Sequence, residues 1–210
     1  MDKIGSANAC DPCLKKLMPN ALCVYCSSSD RLAPKYYTAA TWIGNELARR
    51  RWTLVYGGGR TGLMGAVARG TKTEGGRVIG IIPEFMKTRE LAYADADELI
   101  SVVTMRDRKL LMEDKADAFL ALPGGWGTLE ETLEILTLAH LEAVRKPIVI
   151  FNQNGYYDEL LALFDRIIHE GFMHDTIRQK FAVAREAEEI FPLLENWSNE
   201  TTGRPWFGTK

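Results

Sequence analysis

The chain has 210 residues, 46% hydrophobic and 26% charged, with a formal net charge of −2. That is the profile of one medium α/β domain with a sizeable core, built without metal or disulfide staples. The near-neutral charge gives no electrostatic case for nucleic acid as the partner, and no apolar run approaches the length of a membrane span. The amino terminus lacks the apolar stretch of a secretory signal, so a cytoplasmic protein is expected.

In chain order, residues 1–19 read as a flexible tail carrying Cys10 and Cys13. A strand follows over 21–27, "ALCVYCS", holding the other two cysteines, Cys23 and Cys26. Side chains three apart on a strand point to opposite faces, so this pair is poorly placed to grip one metal ion and reads as buried thiols. A helix over 34–50 opens with Pro34 and shows Ala40, Ile43 and Leu47 on one face. Then strands at 52–56, 77–83, 99–104, 117–122, 147–151 and 181–184 alternate with helices at 63–74, 105–116, 128–143, 156–171 and 187–197. Most of the strands are continuous apolar runs, as parallel strands buried on both faces require. The pattern predicts an α/β, Rossmann-like three-layer sandwich with a mostly parallel sheet and helices on both faces, spanning one domain over 20–197, with a second tail at 198–210.

Two glycine clusters sit at carboxyl ends of strands, where ligands bind in such sheets. The first, "LVYGGGRTGLMG", satisfies G-x-G-x-x-G through Gly57, Gly59 and Gly62, with Glu84 at the end of the next strand. A dinucleotide reading fits these residues but follows the second strand rather than the first, and leaves the second cluster unexplained. That cluster, Pro123-Gly124-Gly125-Trp126-Gly127-Thr128, is the better phosphate cradle, because backbone N–H groups at a helix start face an anion. Glu131 follows Thr128 by three residues, so the pair also reads as a capping box. Arg106, Arg108 and Lys109 open the helix at 105–116, where the helix dipole disfavours cations, which suggests an external anion; the bland alternative is a solvated charged face. A further basic-acidic pair, Arg89-Glu90, follows the third strand.

Together "GGGRTGLMG", the Arg89-Glu90 loop, "MRDRK" and "PGGWGTLEE" resemble, in order, the motifs of the Lonely Guy family of cytokinin riboside 5′-monophosphate phosphoribohydrolases, over roughly residues 21–197. The resemblance implies a Rossmann-like homodimer that needs no cofactor or metal. It implies hydrolysis of the N-glycosidic bond of adenine nucleotides, often N6-prenylated, to free base and ribose 5-phosphate. It implies that Arg108 and Glu131 are the catalytic pair. Glu90, Lys109, Gly124, Gly125, Trp126, Gly127, Thr128 and Thr137 would contact the nucleotide, and Gly58, Gly59 and Thr61 would lie beside its phosphate. Three residues depart from the usual plant pattern: Arg60 stands for Ser, Arg106 for His and Trp126 for Tyr. The dimer would pack the helices at 105–116 and 128–143 across a two-fold, with Leu129, Leu133, Leu136 and His140 exposed. A dehydrogenase, a pyridoxal-phosphate decarboxylase and a non-catalytic nucleotide-binding module are the competing classes.

Overall fold

A computed structural model of the protein describes residues 19–87 and 92–197. The Arg89-Glu90 loop, the Cys10–Cys13 segment and the carboxyl-terminal tail lie outside the described residues.

Seven strands form one sheet: β1 (Ala21–Tyr25), β2 (Thr53–Tyr56), β3 (Val78–Pro83), β4 (Glu98–Val102), β5 (Ala118–Ala121), β6 (Ile148–Phe151) and β7 (Ala182–Ala184). Their order is β4-β3-β2-β1-β5-β6-β7, and all six pairings are parallel. The sheet is thus wholly parallel rather than mostly so. The central strands are buried along nearly their whole length, whereas edge strand β4 alternates partly buried and exposed residues. That one-sided edge is why the apolar pattern placed β4 one residue late.

The helices are α1 (Pro34–Arg49), α2 (Gly62–Thr73), α3 (Met105–Lys115), α4 (Trp126–His140), α5 (Asp158–His169) and α6 (Ile190–Glu195). One core layer joins Ile43 and Leu47 of α1, Leu63 of α2 and Phe191 of α6 to the sheet; the other joins Met112 of α3, Ile135 of α4 and Leu161 of α5. Cys26 falls in the first layer and Cys23 in the second, on opposite faces as their spacing demands. Burial, then the negative charge of Glu131, pushes both thiols above their ordinary range, so neither is a ready nucleophile. Among the described residues no helix is long and apolar enough to cross a membrane.

The direction in which successive strands are added reverses at the middle of the sheet. β1 leads through α1 to β2 on one side, and β5 enters on the other side of β1. Tyr25 pairs with Ala121 and Val24 with Tyr56, so the carboxyl ends of β1, β2 and β5 lie together. The crevice at such a switch point is where open parallel sheets bind ligands.

Candidate active site

The two glycine clusters reach this crevice but differ in what their helices offer. At the start of α2 the donors are already taken. Gly62 N–H donates to the Asp30 carboxylate at 2.7 Å, and Leu63 and Met64 N–H donate to the Ser27 carbonyl at 2.9 and 3.3 Å. The Ser27–Asp30 loop after β1 therefore fills the place a pyrophosphate would need, and Asp30 supplies the negative charge the helix dipole favours. The glycines of this cluster serve the chain itself. A Cβ on Gly57 would lie 1.9 Å from Nη2 of Arg108, and Gly58 adopts φ +78° while its carbonyl accepts from Tyr93 N–H at 3.0 Å. Gly59 bridges to Ala92. Thr61 precedes α2 without a side-chain cap. Gly58, Gly59 and Thr61, expected beside a phosphate, here shape a packed turn in front of a helix end whose first donors are engaged within the chain.

The start of α4 is open. Its N-cap is Gly125, with no side-chain cap. Among the described residues no acceptor engages the N–H groups of Gly125, Trp126, Gly127 or Thr128, and the first loop-to-helix bond is Leu129 N–H to the Gly125 carbonyl at 3.0 Å. Thr128 lies inside the helix, so the Thr-x-x-Glu capping box expected there does not form. The reason is that the N-cap is Gly125, three residues before Thr128, and the helix starts at Trp126. The three glycines have different reasons to be glycine. A Cβ on Gly124 would strike the Thr128 side chain at 2.1 Å, whereas a Cβ on Gly125 or Gly127 would meet nothing within 4 Å. Neither Gly125 nor Gly127 has a positive φ. The chain itself does not require glycine at these two positions, which leaves room for something outside it.

Glu131 lies beyond this cradle on the inner side of α4, 5% exposed. Its Oε1 accepts from Nη1 of Arg108 at 3.0 Å, and Arg108 is 4% exposed. Nε of Arg108 donates to the Ile81 carbonyl at 3.1 Å and Nη2 to the Gly57 carbonyl at 3.3 Å. Each guanidinium nitrogen is thus held, two of them by the carboxyl ends of β2 and β3. A buried ion pair barely offsets its desolvation, so this pair adds little net stability over apolar side chains of the same size. Of the three basic residues opening α3, Arg108 alone enters the crevice. Arg106 is exposed. Lys109 is drawn to the carboxylates of Glu130 and Glu134, at 2.9 Å for the second. Burial lowers the pKa of Lys109, but the hydrogen bonds to Glu130 and Glu134 outweigh it and leave the ammonium above its ordinary value. The helix answers its dipole with Thr104 and Asp107, a reciprocal capping box that the basic run concealed in the sequence.

Thr137 sits well along α4, exposed, its hydroxyl donating to the Leu133 carbonyl at 2.7 Å. It belongs to an outward stripe of α4 that runs through Trp126, 89% exposed, Glu130 and Leu133. This stripe points away from the Arg108–Glu131 side of the same helix. Leu136, expected outside, is buried in the chain's own core, while Leu129 and His140 are half-buried.

Sequence reading missed the turn after β6. Tyr156 donates its hydroxyl to the Gly124 carbonyl at 2.7 Å, and Tyr157 donates to the Leu122 carbonyl at 2.7 Å. The signal was position: this turn leaves the strand next to β5, on the ligand-binding edge of the sheet. A polar recess of about 530 Å³ opens at the far side of the same turn, where Asp158 and Arg185 face each other at 3.7 Å.

A family profile described as "Possible lysine decarboxylase" matches residues 64–194. The chain is 44% identical over 179 residues to an Arabidopsis thaliana protein named "Cytokinin riboside 5'-monophosphate phosphoribohydrolase LOG7", covering 85% of this chain and 82% of that one. It is 43% identical over 176 residues to a rice protein named "Probable cytokinin riboside 5'-monophosphate phosphoribohydrolase LOGL5", covering 84% of this chain and 72% of that one. Among solved structures, a molybdenum cofactor binding protein from Rippkaea orientalis superposes with a TM-score of 0.63 at 22% identity, covering 84% of this chain and 96% of that one. A molybdenum cofactor carrier protein from Chlamydomonas reinhardtii gives 0.58 at 20% identity, with 82% and 93% covered. At those identities the structural likeness speaks for the three-layer fold, whereas the match in sequence extends through both glycine clusters and the Arg108–Glu131 pair, and on it the chain belongs to the Lonely Guy family of cytokinin riboside 5′-monophosphate phosphoribohydrolases.

Proposed function

We propose that the protein hydrolyses the N-glycosidic bond of adenine-type nucleoside 5′-monophosphates, AMP or its N6-prenyl forms, releasing free base and ribose 5-phosphate. The observation that carries this reading is the open amino end of α4 followed on the same helix by a buried, guanidinium-held carboxylate. From Trp126 to Glu131 the helix rises about 7.5 Å. That is a reach suited to gripping a phosphate at one end and acting on its ribose at the other.

The N–H groups of Gly125, Trp126 and Gly127 take the 5′-phosphate, with the helix dipole behind them. Bond cleavage sends the C1′–N9 electron pair to the base and leaves positive charge on the ribose. The Glu131 carboxylate stabilises that charge and accepts a proton from the water that adds to C1′; the proton then passes to the departing base, which leaves neutral, and the carboxylate is restored. Arg108 keeps Glu131 aimed and offsets its charge in a site with little water. Phosphate binding remote from the reacting carbon supplies orientation. Glu90, Lys109, Thr128 and Thr137 remain the further nucleotide contacts in this reading, which needs no cofactor or metal. Thr137, on the outward stripe, reaches a nucleotide only in a partner subunit. A cytoplasmic setting accompanies the reading, since nucleotides and free thiols such as Cys23 and Cys26 both persist there.

A decarboxylase using pyridoxal phosphate needs a lysine whose amine is readily neutral. Lys109, the lysine nearest the pair in sequence, is held as an ammonium by two carboxylates. Incubation with AMP and chromatography for adenine and ribose 5-phosphate tests the proposal directly. Intact AMP, with bound AMP detected by calorimetry, would favour a non-catalytic nucleotide-binding module instead.

The open glycines give a second test. Gly127→Ala should leave Tm unchanged or raise it, because alanine is favoured over glycine within a helix by roughly 0.5–1 kcal/mol and its methyl meets no chain atom. The same variant keeps its backbone N–H but should raise KM for AMP by about tenfold, because the added methyl stands in the open space a phosphate would take. A variant that is more stable and binds AMP normally would remove the phosphate from this loop.

The dimer belongs to the same proposal. Leu133, Leu110 and Val103 are 42%, 59% and 76% exposed on α4, on α3 and just before it. Together they offer an apolar surface for a self-complementary two-fold contact. Light scattering should give twice the chain mass, and Leu133→Glu should give monomer; a wild-type monomer would refute the assembly.

A further inference from the structure

We infer that Tyr156 is a positioning residue for phosphate recognition: its hydroxyl fixes the Gly124–Gly125 peptide so that the Gly125 N–H faces the crevice. The inference rests on the phosphoribohydrolase reading and deepens it.

The peptide unit is planar and trans, so a carbonyl and the N–H that follows it point in opposite directions. Tyr156 Oη donates to the Gly124 carbonyl at 2.7 Å from one side. The Gly125 N–H is thereby turned to the other side, toward the open amino end of α4. Glycines on both sides of that peptide leave it free to rotate, and a Cβ on Gly125 would meet nothing that could hold it. The restraint comes from Tyr156.

Tyr156 is itself well held. Its ring meets Tyr157 edge-on at 4.9 Å and Tyr36 of α1 edge-on at 6.3 Å. The turn beneath is anchored by Asn152, 1% exposed at the end of β6. Its Oδ1 accepts from Tyr157 N–H at 2.7 Å, its Nδ2 donates to Asp158 at 2.7 Å, and its own N–H donates to the Ala184 carbonyl at 2.8 Å. Thus β6 and β7 are tied, through two tyrosines, to the loop that leaves β5.

Tyr157 supplies an internal control. Its hydroxyl holds the Leu122 carbonyl, and burial pushes its phenol up, so it stays a donor. The partner of that carbonyl in its peptide is the nitrogen of Pro123, which carries no hydrogen. Tyr157 steadies the loop through that carbonyl and the backbone of Gly124, one peptide before the Gly124–Gly125 unit, and so does not aim the Gly125 N–H.

The test compares Tyr156→Phe with Tyr157→Phe by steady-state kinetics on AMP and by calorimetric binding of ribose 5-phosphate. Tyr156→Phe should raise KM and weaken ribose 5-phosphate binding by about tenfold while kcat stays within about twofold, the signature of a lost ground-state contact to a charged group. Tyr157→Phe should lower Tm without that change in affinity. Unchanged ribose 5-phosphate affinity in Tyr156→Phe, or an equal loss in Tyr157→Phe, would overturn the inference. If the wild-type protein binds ribose 5-phosphate but does not cleave AMP, the catalytic reading falls alone, and the binding comparison still decides the role of Tyr156. A wild-type protein that binds no phosphate ester would end both.

Discussion

Glu131→Gln is expected to reduce AMP turnover by about 10²–10⁴-fold, the usual cost of losing one positioned acid-base group. The substitution is nearly isosteric. The amide oxygen can still accept from Nη1 of Arg108, so the arrangement around Ile81 and Gly57 is retained. What disappears is the negative charge beside the ribose and the ability to take a proton from water. The buried guanidinium also loses its counter-charge, so Tm should fall, though not below a folded protein at room temperature. AMP should still bind, because the cradle at Gly125–Gly127 is untouched, and calorimetry on the variant separates binding from chemistry. Turnover within twofold of the wild type would reduce Glu131 to a structural partner of Arg108.

The second large effect concerns the substrate. AMP should be cleaved roughly 10³-fold more efficiently than adenosine, judged by kcat/KM. A hydrogen bond to a charged group is worth about 1.5–3 kcal/mol, and the open end of α4 offers two or three of them. Each 1.4 kcal/mol is about a factor of ten. The phosphate also positions the ribose against Glu131, so part of the loss should fall on kcat. Adenine released from equal concentrations of the two compounds measures the ratio. Comparable rates would mean that the glycine loop does not hold the phosphate, and the mechanism would fall with it.

The fold was legible in the sequence because each central strand of a parallel sheet is apolar on both faces, and that pattern survives without knowledge of neighbours. The reading weakened where burial is one-sided, at β4, and where the helix start depends on backbone shape rather than composition, at α4. Thr128 and Glu131 have the spacing of a cap, but the helix starts before either, at Trp126. Thr104 and Asp107 do form a cap, and the surrounding cations hid it. The Arg108–Glu131 partnership came from family resemblance, and geometry supplied its reason: two backbone carbonyls fix the guanidinium. The harder distinction lay between the two glycine clusters. As strings they look alike. They differ because Asp30, 32 residues upstream of Gly62, folds back onto one helix end and nothing in the described chain covers the other. Such occupancy is a through-space fact with no local trace.

The reach of the site across the sheet bears on how the protein comes into being. Arg108 is set by β2 and β3, Glu131 and the glycine loop follow β5, and Tyr156 arrives only after β6. During synthesis the carboxylate, the guanidinium and the cradle all leave the ribosome before the residue that holds the cradle still. A nascent chain ending short of Tyr156 therefore carries every reacting group yet lacks a settled grip on phosphate. Contacts so far apart in sequence form late, when the whole sheet closes. A fragment ending before Tyr156 should consequently bind ribose 5-phosphate more weakly than the full chain, because the hydroxyl that holds the Gly124 carbonyl is not yet in place.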